Sequence, residues 1–212
     1  MRTTVLMLTL ATGVAAGPSA QTAPPPADLV QRIQAHYDSV KDFQADFEQT
    51  ARGQFTPKLP AQRGRLLVKK PGRMYMKYER DKNEFWSDGI RSYMYYAASK
   101  EGHSEPLQKG ESAYATVRLL MGDGNLVRDF TSSVAPDQPA GQWRLMLVPK
   151  RADPAVKSMV LIVDRTSLKL VGLEKVDGQG TTDTWVFSNL KENVGLADKE
   201  FNRKFPAGTI IK

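Results

Sequence analysis

Hydrophobic positions change period once near the start of the chain and then hold the new period almost to the end. Leu29, Val30, Ile33, Tyr37 and Val40 recur at helical spacing and make one apolar face, with Asp28 near its start. From residue 43 the period is two: Phe43, Ala45 and Phe47 alternate with Gln44, Asp46 and Glu48. The spacing predicts a helix that runs into a first strand near Asp42. Further strands read at 63–70, 73–79, 84–87, 90–97, 142–149, 158–164, 168–176 and 184–190. Pro71-Gly72, Asp88-Gly89, Asp153-Pro154, Arg165-Thr166-Ser167 and Asp177-Gly178-Gln179-Gly180 punctuate them, and Asp88-Gly89 is the strongest hairpin signal. Nine or ten strands joined mostly by hairpin-length connections predict one antiparallel sheet, long enough to curl.

One segment breaks this rhythm. Residues 112–121 are helical in character, with Ala113, Val117, Leu120 and Met121 on one face, Leu119 beside them, and Gly122-Asp123-Gly124 as a stop. A short amphipathic helix inside a sheet protein has to lie on the sheet or across a barrel mouth. With the first helix it could plug an incompletely closed barrel.

The N-terminus reads as a secretory signal over residues 1–20. Arg2 supplies the charge, residues 5–11 the apolar centre, and Ala15, Ala16, Gly17 and Ala20 the small residues of a cleavage region. The apolar run is far short of the roughly 20 residues that a membrane span needs. Residues 21–27, with Ala23-Pro24-Pro25-Pro26, form a proline-rich linker, and 28–212 remain as a single domain. The expected location is the periplasm after signal cleavage.

Composition narrows the function. The 212 residues contain no cysteine, so a domain folded outside the cytoplasm holds together by its core alone. The same absence removes the residue on which a bacterial lipoprotein carries its lipid. The net charge of +7 loses only Arg2 with the signal. Export argues against nucleic acid as its partner and leaves anionic headgroups, acidic partners or plain solubility.

Enzyme chemistry finds little support. His36 sits beside the helical apolar face and His103 in a polar, hairpin-like stretch, neither with metal-ligand spacing. A Gly-x-Ser-x-Gly elbow and a phosphate-cradling glycine loop are both absent. The expectation is a non-enzyme with no catalytic residues, cofactor or metal. The chain offers instead Met74, Met76 and Tyr78 on one face of a strand whose other face is Arg73, Tyr75, Lys77 and Glu79. Met94 lies in a dense run with Tyr93, Tyr95 and Tyr96. Methionine adapts to flexible alkyl chains. The same residues equally suit a dry core, since small barrels are usually filled by their own side chains.

In order along the chain stand Phe43-x-x-x-Phe47-x-Gln49, then residues 64–74 from Gly64 through Lys70-Pro71-Gly72 to Met74, and Tyr78. Ser87-Asp88-Gly89 follows, with Tyr93 and Tyr95, then Leu119-Leu120-Met121-Gly122. Phe187-x-x-Leu190-x-x-Asn193 and Phe201-x-x-x-Phe205-Pro206-x-Gly208 close the series. In this order and spacing the chain resembles the LolA-type periplasmic outer-membrane lipoprotein carriers over essentially its whole mature length. The resemblance implies a mainly β fold: an unclosed antiparallel β-barrel of roughly ten or eleven strands, with an N-terminal helix and an inserted helical lid. It implies a monomeric carrier that takes lipoproteins from an inner-membrane ABC-type release complex and shields their acyl chains. Delivery is to the outer membrane, to an acceptor lipoprotein where one exists.

It also implies roles: an acyl-chain cavity of Phe43, Phe47, Met74, Met76, Tyr78, Tyr93 and Tyr95, a lid of Val117, Leu119, Leu120 and Met121, and a lid latch at Lys70. The family's usual latch is an arginine that bonds lid carbonyls. Here lysine would reach the lid helix near Leu119 to Met121, while Lys69 points to the opposite face. Met74 and Met76 stand where the family carries an aromatic pair, and Tyr95-Tyr96-Ala97 replaces its Tyr-Asp-Pro. A carrier of another lipid or a hydrophobic pigment, or a lipid-sensing envelope-stress regulator, are the other readings that this sequence supports.

Overall fold

The computed structural model describes residues 26–53, 59–107, 124–153 and 155–212. The expected signal, most of the linker, and the expected lid helix with Val117, Leu119, Leu120 and Met121 lie outside the described residues.

Helix α1 spans Pro26–Ser39. Proline opens it without loss, because the first helical N–H has no partner in any case. Leu29, Val30 and Ile33 are buried along one side, while Gln31, Arg32 and Ala35 face water. The helix stops at Ser39, whose hydroxyl donates back to the His36 carbonyl at 2.6 Å.

Among the described residues twelve strands follow: β1 Asp42–Arg52, β2 Gln62–Lys69, β3 Arg73–Tyr78, β4 Glu84–Asp88, β5 Arg91–Tyr96, β6 Glu101–Pro106, β7 Phe130–Val134, β8 Gln142–Pro149, β9 Ser158–Asp164, β10 Leu170–Val176, β11 Thr182–Glu192 and β12 Ile210–Ile211. A one-turn helix, α2 at Leu126–Asp129, leads into β7. The strands make a single sheet in the order β12-β6-β5-β4-β3-β2-β1-β11-β10-β9-β8-β7. It never closes, because β12 and β7 are its two edges. All pairings are antiparallel except β12 with β6, which is parallel.

The strand rhythm read from the sequence recurs here, with three additions. Strand β6 comes from the polar stretch around His103, and β7 and β12 from stretches with no strand signal. None of the three alternates apolar with polar, because each pairs at or beside an edge where little of it is buried. Their backbone is recruited by neighbours and not by their own side chains.

Register sorts every strand into two faces. The row Ala45–Leu66–Met76–Phe85–Met94 crosses β1 to β5 on the concave side, and Gln44–Leu67–Tyr75–Trp86–Tyr93 crosses on the convex side. The other half of the sheet continues the concave side with Phe187, Leu173, Leu161 and Leu145. The larger core lies in this concavity, under α1.

A second, smaller cluster of Leu67, Tyr75, Trp86 and Phe201 sits on the convex side, together with Tyr93, Tyr95 and Phe205. It is completed by the chain after β11, which crosses the back of the sheet before adding β12. Phe205 meets Trp86 edge-on at 5.0 Å. Gly102 allows this, since a Cβ there would fall 2.8 Å from the Phe205 ring.

Two turns hold the rim where β2–β3 and β4–β5 connect. Gly72 and Gly89 have φ of +72° and +96°, where other residues are strained. The buried Ser87 hydroxyl donates to the Gly72 carbonyl at 2.8 Å, and one Asp88 carboxylate oxygen accepts the Ile90 and Arg91 amides at 2.8 Å each. The Ser-Asp-Gly motif is thus a clamp between adjacent turns.

Gly64 marks the tightest approach inside the concavity. The Phe47 ring lies over it and meets Tyr78 edge-on at 5.3 Å. A Cβ at Gly64 would stand 2.0 Å from the Lys77 carbonyl oxygen and 2.6 Å from the Phe47 ring. Gly64→Ala is expected to cost about 1–3 kcal/mol by overpacking, read as a lower urea midpoint with an unchanged slope. An unshifted midpoint would show that the β3 backbone at Lys77 and the Phe47 ring both give way without cost.

Candidate functional site

The concave face is an almost unbroken apolar wall. Phe43 and Phe47 from β1 and Met74 from β3 are buried there, with Leu145, Leu147, Met159, Leu161 and Leu173 opposite. Met76 and Tyr78 are half-buried and pack against the same wall. Leu29, Val30 and Ile33 of α1 lie across it. Of the cavity residues expected from sequence, Phe43, Phe47, Met74, Met76 and Tyr78 therefore share one surface.

Tyr93 and Tyr95 do not, and their assignment to the cavity is corrected. Tyr93 stacks on Trp86 at 5.0 Å with the rings 8° from parallel, on the convex side, and Tyr95 packs against the same cluster. Alternation along β5 is the reason. Residues 93 and 95 share a face, and Met94 between them is the side chain that turns inward to the main core. The run of aromatics masked which member faced which way.

Between α1 and the β9–β11 half of the sheet a crevice remains. Ile33, Tyr37, Val40 and Phe43 line one side and Leu161, Val163, Leu168, Leu170 and Leu190 the other. It holds about 30 Å³ of free space, against roughly 300–1,000 Å³ in sites that take small molecules. Among the described residues, this crevice is too small for an alkyl chain while α1 is seated.

The cover is tied down by polar groups at its C-terminal end. Lys70, just beyond β2, directs its ammonium to the carbonyl oxygen of Tyr37 in the last turn of α1, and lies 3.5 Å from the centre of the Tyr37 ring. A cation at a helix C-terminus meets the unpaired carbonyls and the negative end of the dipole, and the ring face adds attraction. Lys70 thus grips α1, while its expected partner, the inserted helix near Leu119 to Met121, lies outside the described residues. The Pro71-Gly72 turn puts the lysine at the rim beside α1, and the sequence alone does not say which helix ends there.

Lys70 is half-buried. Desolvation lowers its pKa from 10.5 to about 8, partly opposed by Asp38 and Glu192. Burial, then Asp38, pushes the Tyr37 phenol well up. His36 adds a 3.1 Å contact to Glu192 of β11. Lys69 points the other way, as alternation requires. It donates to the Leu196 carbonyl at 2.8 Å and reaches Asp198 at 2.5 Å, holding the segment that crosses the convex face.

Two further anchors escape a reading of the sequence. Gln34 interrupts the apolar face of α1, yet it is buried; its side-chain oxygen accepts the Leu126 amide at 2.7 Å and so ties α1 to α2. A polar residue inside an apolar stripe is the one signal that pointed to it. Asp42, also buried, accepts the Val194 and Gly195 amides at 2.7 Å and 3.1 Å, while Asn193 accepts the Lys41 amide at 2.7 Å. These bonds join the start of β1 to the exit of β11, and no local pattern announces them.

Comparison with known proteins agrees with this architecture. The family described as "Outer membrane lipoprotein carrier protein LolA" matches residues 38–204. An outer-membrane lipoprotein carrier protein of Bordetella avium (strain 197N) is 26% identical over 183 residues, covering 85% of each chain. One of Methylococcus capsulatus is 23% identical over 181 residues, again covering 85% of each. Among solved structures, an uncharacterized conserved protein from Thermus thermophilus superposes with a TM-score of 0.54 at 10% identity, covering 88% of this chain and 98% of that one, a likeness of fold. The ordered motifs, the open sheet with its helix-covered concavity and the match over residues 38–204 lead to one conclusion: this chain belongs to the LolA family of outer membrane lipoprotein carrier proteins.

Proposed function

We propose that this protein is a non-enzymatic periplasmic carrier, exported by its N-terminal signal. It accepts lipoproteins from an inner-membrane ABC release complex, shields their acyl chains in the concavity and delivers them to the outer membrane. The observation that carries this reading is an apolar wall covered by a helix whose C-terminal end a half-buried lysine grips.

The magnitudes favour exchange of cover for cargo. Burying a Leu, Val or Ile is worth about 1.5–3 kcal/mol, so unseating Leu29, Val30 and Ile33 costs several kcal/mol. Three long acyl chains offer on the order of tens of kcal/mol, at about 0.8 kcal/mol per methylene. Cargo therefore wins entry, and the reseating of α1 returns part of that energy at release. Such a helix is a two-state element whose balance the cargo biases. Because the chain has no cysteine, nitroxides can be placed cleanly at Gln31 and Thr166, both exposed. Their separation is expected to lengthen when lipoprotein is taken up from inner-membrane vesicles. An unchanged distance in loaded protein would remove α1 as the moving cover.

The latch carries its own test. Lys70→Leu removes the ammonium from the Tyr37 carbonyl. It is expected to retain uptake, while delivery to outer membranes falls several-fold, since the empty form no longer rewards release. Delivery equal to wild type would take Lys70 out of the mechanism.

Its pH dependence has a defined sign. The group binds its proton with a pKa of about 8 when α1 is seated, and 10.5 when free in solvent or unfolded. Below pH 8 both forms are protonated, and Lys70 contributes no slope. Between about 8 and 10.5 the seated form sheds the proton first, so closure gains as pH rises. Arginine keeps its proton throughout. The thermal midpoint of wild type relative to Lys70→Arg should rise across that window and be flat below it. A constant difference from pH 7 to 10.5 would contradict the desolvated latch.

A further inference from the structure

Along β1, β10 and β11 the apolar wall gives way to polar residues, while Met159 and Leu147, level with Lys175, continue it on β9 and β8. On β1 the inward positions run Phe43, Ala45, Phe47, and then Gln49. On β11 they run upward from Asp183 to Trp185 and Phe187, and on β10 from Lys175 to Leu173. Asp183 stands directly opposite Ala51 on one side and Lys175 on the other, and Lys175 stands opposite Met159 of β9.

Side-chain contacts join these polar residues in two pairs. Lys175 Nζ meets an Asp183 carboxylate oxygen at 2.9 Å, with only 22% and 18% of the two side chains exposed. The Tyr78 hydroxyl donates to the Gln49 side-chain oxygen at 2.9 Å. Burial, then Asp183, pushes the Tyr78 phenol up to about 12, which sets the carboxylate near that ring. Towards the rim from this row the inward positions of the same strands are Phe47, Phe187, Trp185 and Leu173; within the row they are Gln49, Asp183, Lys175 and Tyr78.

We infer that the Lys175–Asp183 ion pair, with the Gln49–Tyr78 hydrogen bond beside it, is the floor of the cargo cavity and sets the longest acyl chain that it accepts. The inference rests on the carrier reading and adds to it a determinant of chain length. Six residues separate Phe43 from Gln49 on β1, so the apolar depth is about 20 Å at the rise of a strand. One leaflet of a bilayer core is about 15 Å deep. Chains that fill a leaflet therefore fit with little to spare. A longer chain must either press methylenes against an ion pair, which gains nothing from them and loses its remaining water, or fold back against the wall.

The pair suits this role because it is neutral as a unit and resists separation. Removing one partner would leave a half-buried charge, whereas replacing both with apolar groups of similar size is commonly neutral or stabilising. Barrel interiors with this need for a defined depth require a terminus that alkyl chains do not wet, and a paired charge supplies it without blocking the concavity with bulk.

The test uses the mature protein and saturated fatty acids from about 10 to about 22 carbons, displacing an environment-sensitive dye. In wild type, affinity should climb by about tenfold for each two added methylenes and then level off at a break. In Lys175→Met/Asp183→Leu the break should move to longer chains. Lys175→Gln/Asp183→Asn keeps the floor polar and should leave the break where it is. Gln49→Leu/Tyr78→Phe, on the same row, gives an independent second variant with the same expected lengthening should the first fail to fold. The same break in wild type and in the folded apolar variant overturns the floor. Failure of wild type to bind any chain, together with failure to take up lipoprotein, overturns the carrier reading and the floor with it; uptake with an unmoved break overturns the floor alone.

Discussion

An open sheet whose concave side is Leu, Met and Phe presents an apolar surface that water does not tolerate, and every other feature of this molecule answers to that surface. A closed barrel would bury it permanently. Here β7 and β12 remain apart as edges, so the concavity needs a separate cover, and α1 supplies it through Leu29, Val30 and Ile33. The cover is helical and short, and among the described residues polar contacts at its C-terminal half join it to the sheet and to α2. On the proposed function such a cover exchanges for another apolar occupant, because the hydrophobic effect is indifferent to the identity of what is buried.

The latch illustrates how weak the attachment is made. An ammonium on a helix C-terminal carbonyl and an aromatic ring is favourable in itself, but seating it also strips part of its water, and the lowered pKa of Lys70 records that cost. The two effects oppose each other. Arginine in the same place would hold its charge with less penalty and could fork to two carbonyls. Lysine gives a single point of attachment that burial itself undermines.

The convex side is used differently. Lys69, adjacent to the latch but on the opposite face, anchors the segment after β11 through Leu196 and Asp198. Phe201 and Phe205 then fill the space over Leu67, Tyr75 and Trp86. The back of the same strands thus carries contacts of its own that support their register. Two neighbouring lysines serve two sides of one sheet, one gripping the covering helix and one the segment across the back.

By itself the sequence determined the alternation of period two from Phe43 onward, the helix before it, the turn at Ser87-Asp88-Gly89 and the absence of any cysteine or metal-ligand spacing. These are local properties: the period of side chains follows from backbone geometry, and turns follow from the few residues able to adopt them. It also carried the ordered motifs by which family membership was legible. Only the tertiary structure decided which face each strand turned inward when apolar residues stood in unbroken runs, as Tyr93, Met94 and Tyr95 do. It likewise decided that Lys70 grips Tyr37, that Gln34 caps Leu126, and that polar residues near His103 form a strand. Each of these joins groups far apart in the chain, and Tyr37 and Lys70 meet only because β1 and β2 pair in one particular register. Hydrophobic patterning states that a surface must be covered; what covers it, and how firmly, is settled by which distant segments the sheet brings together.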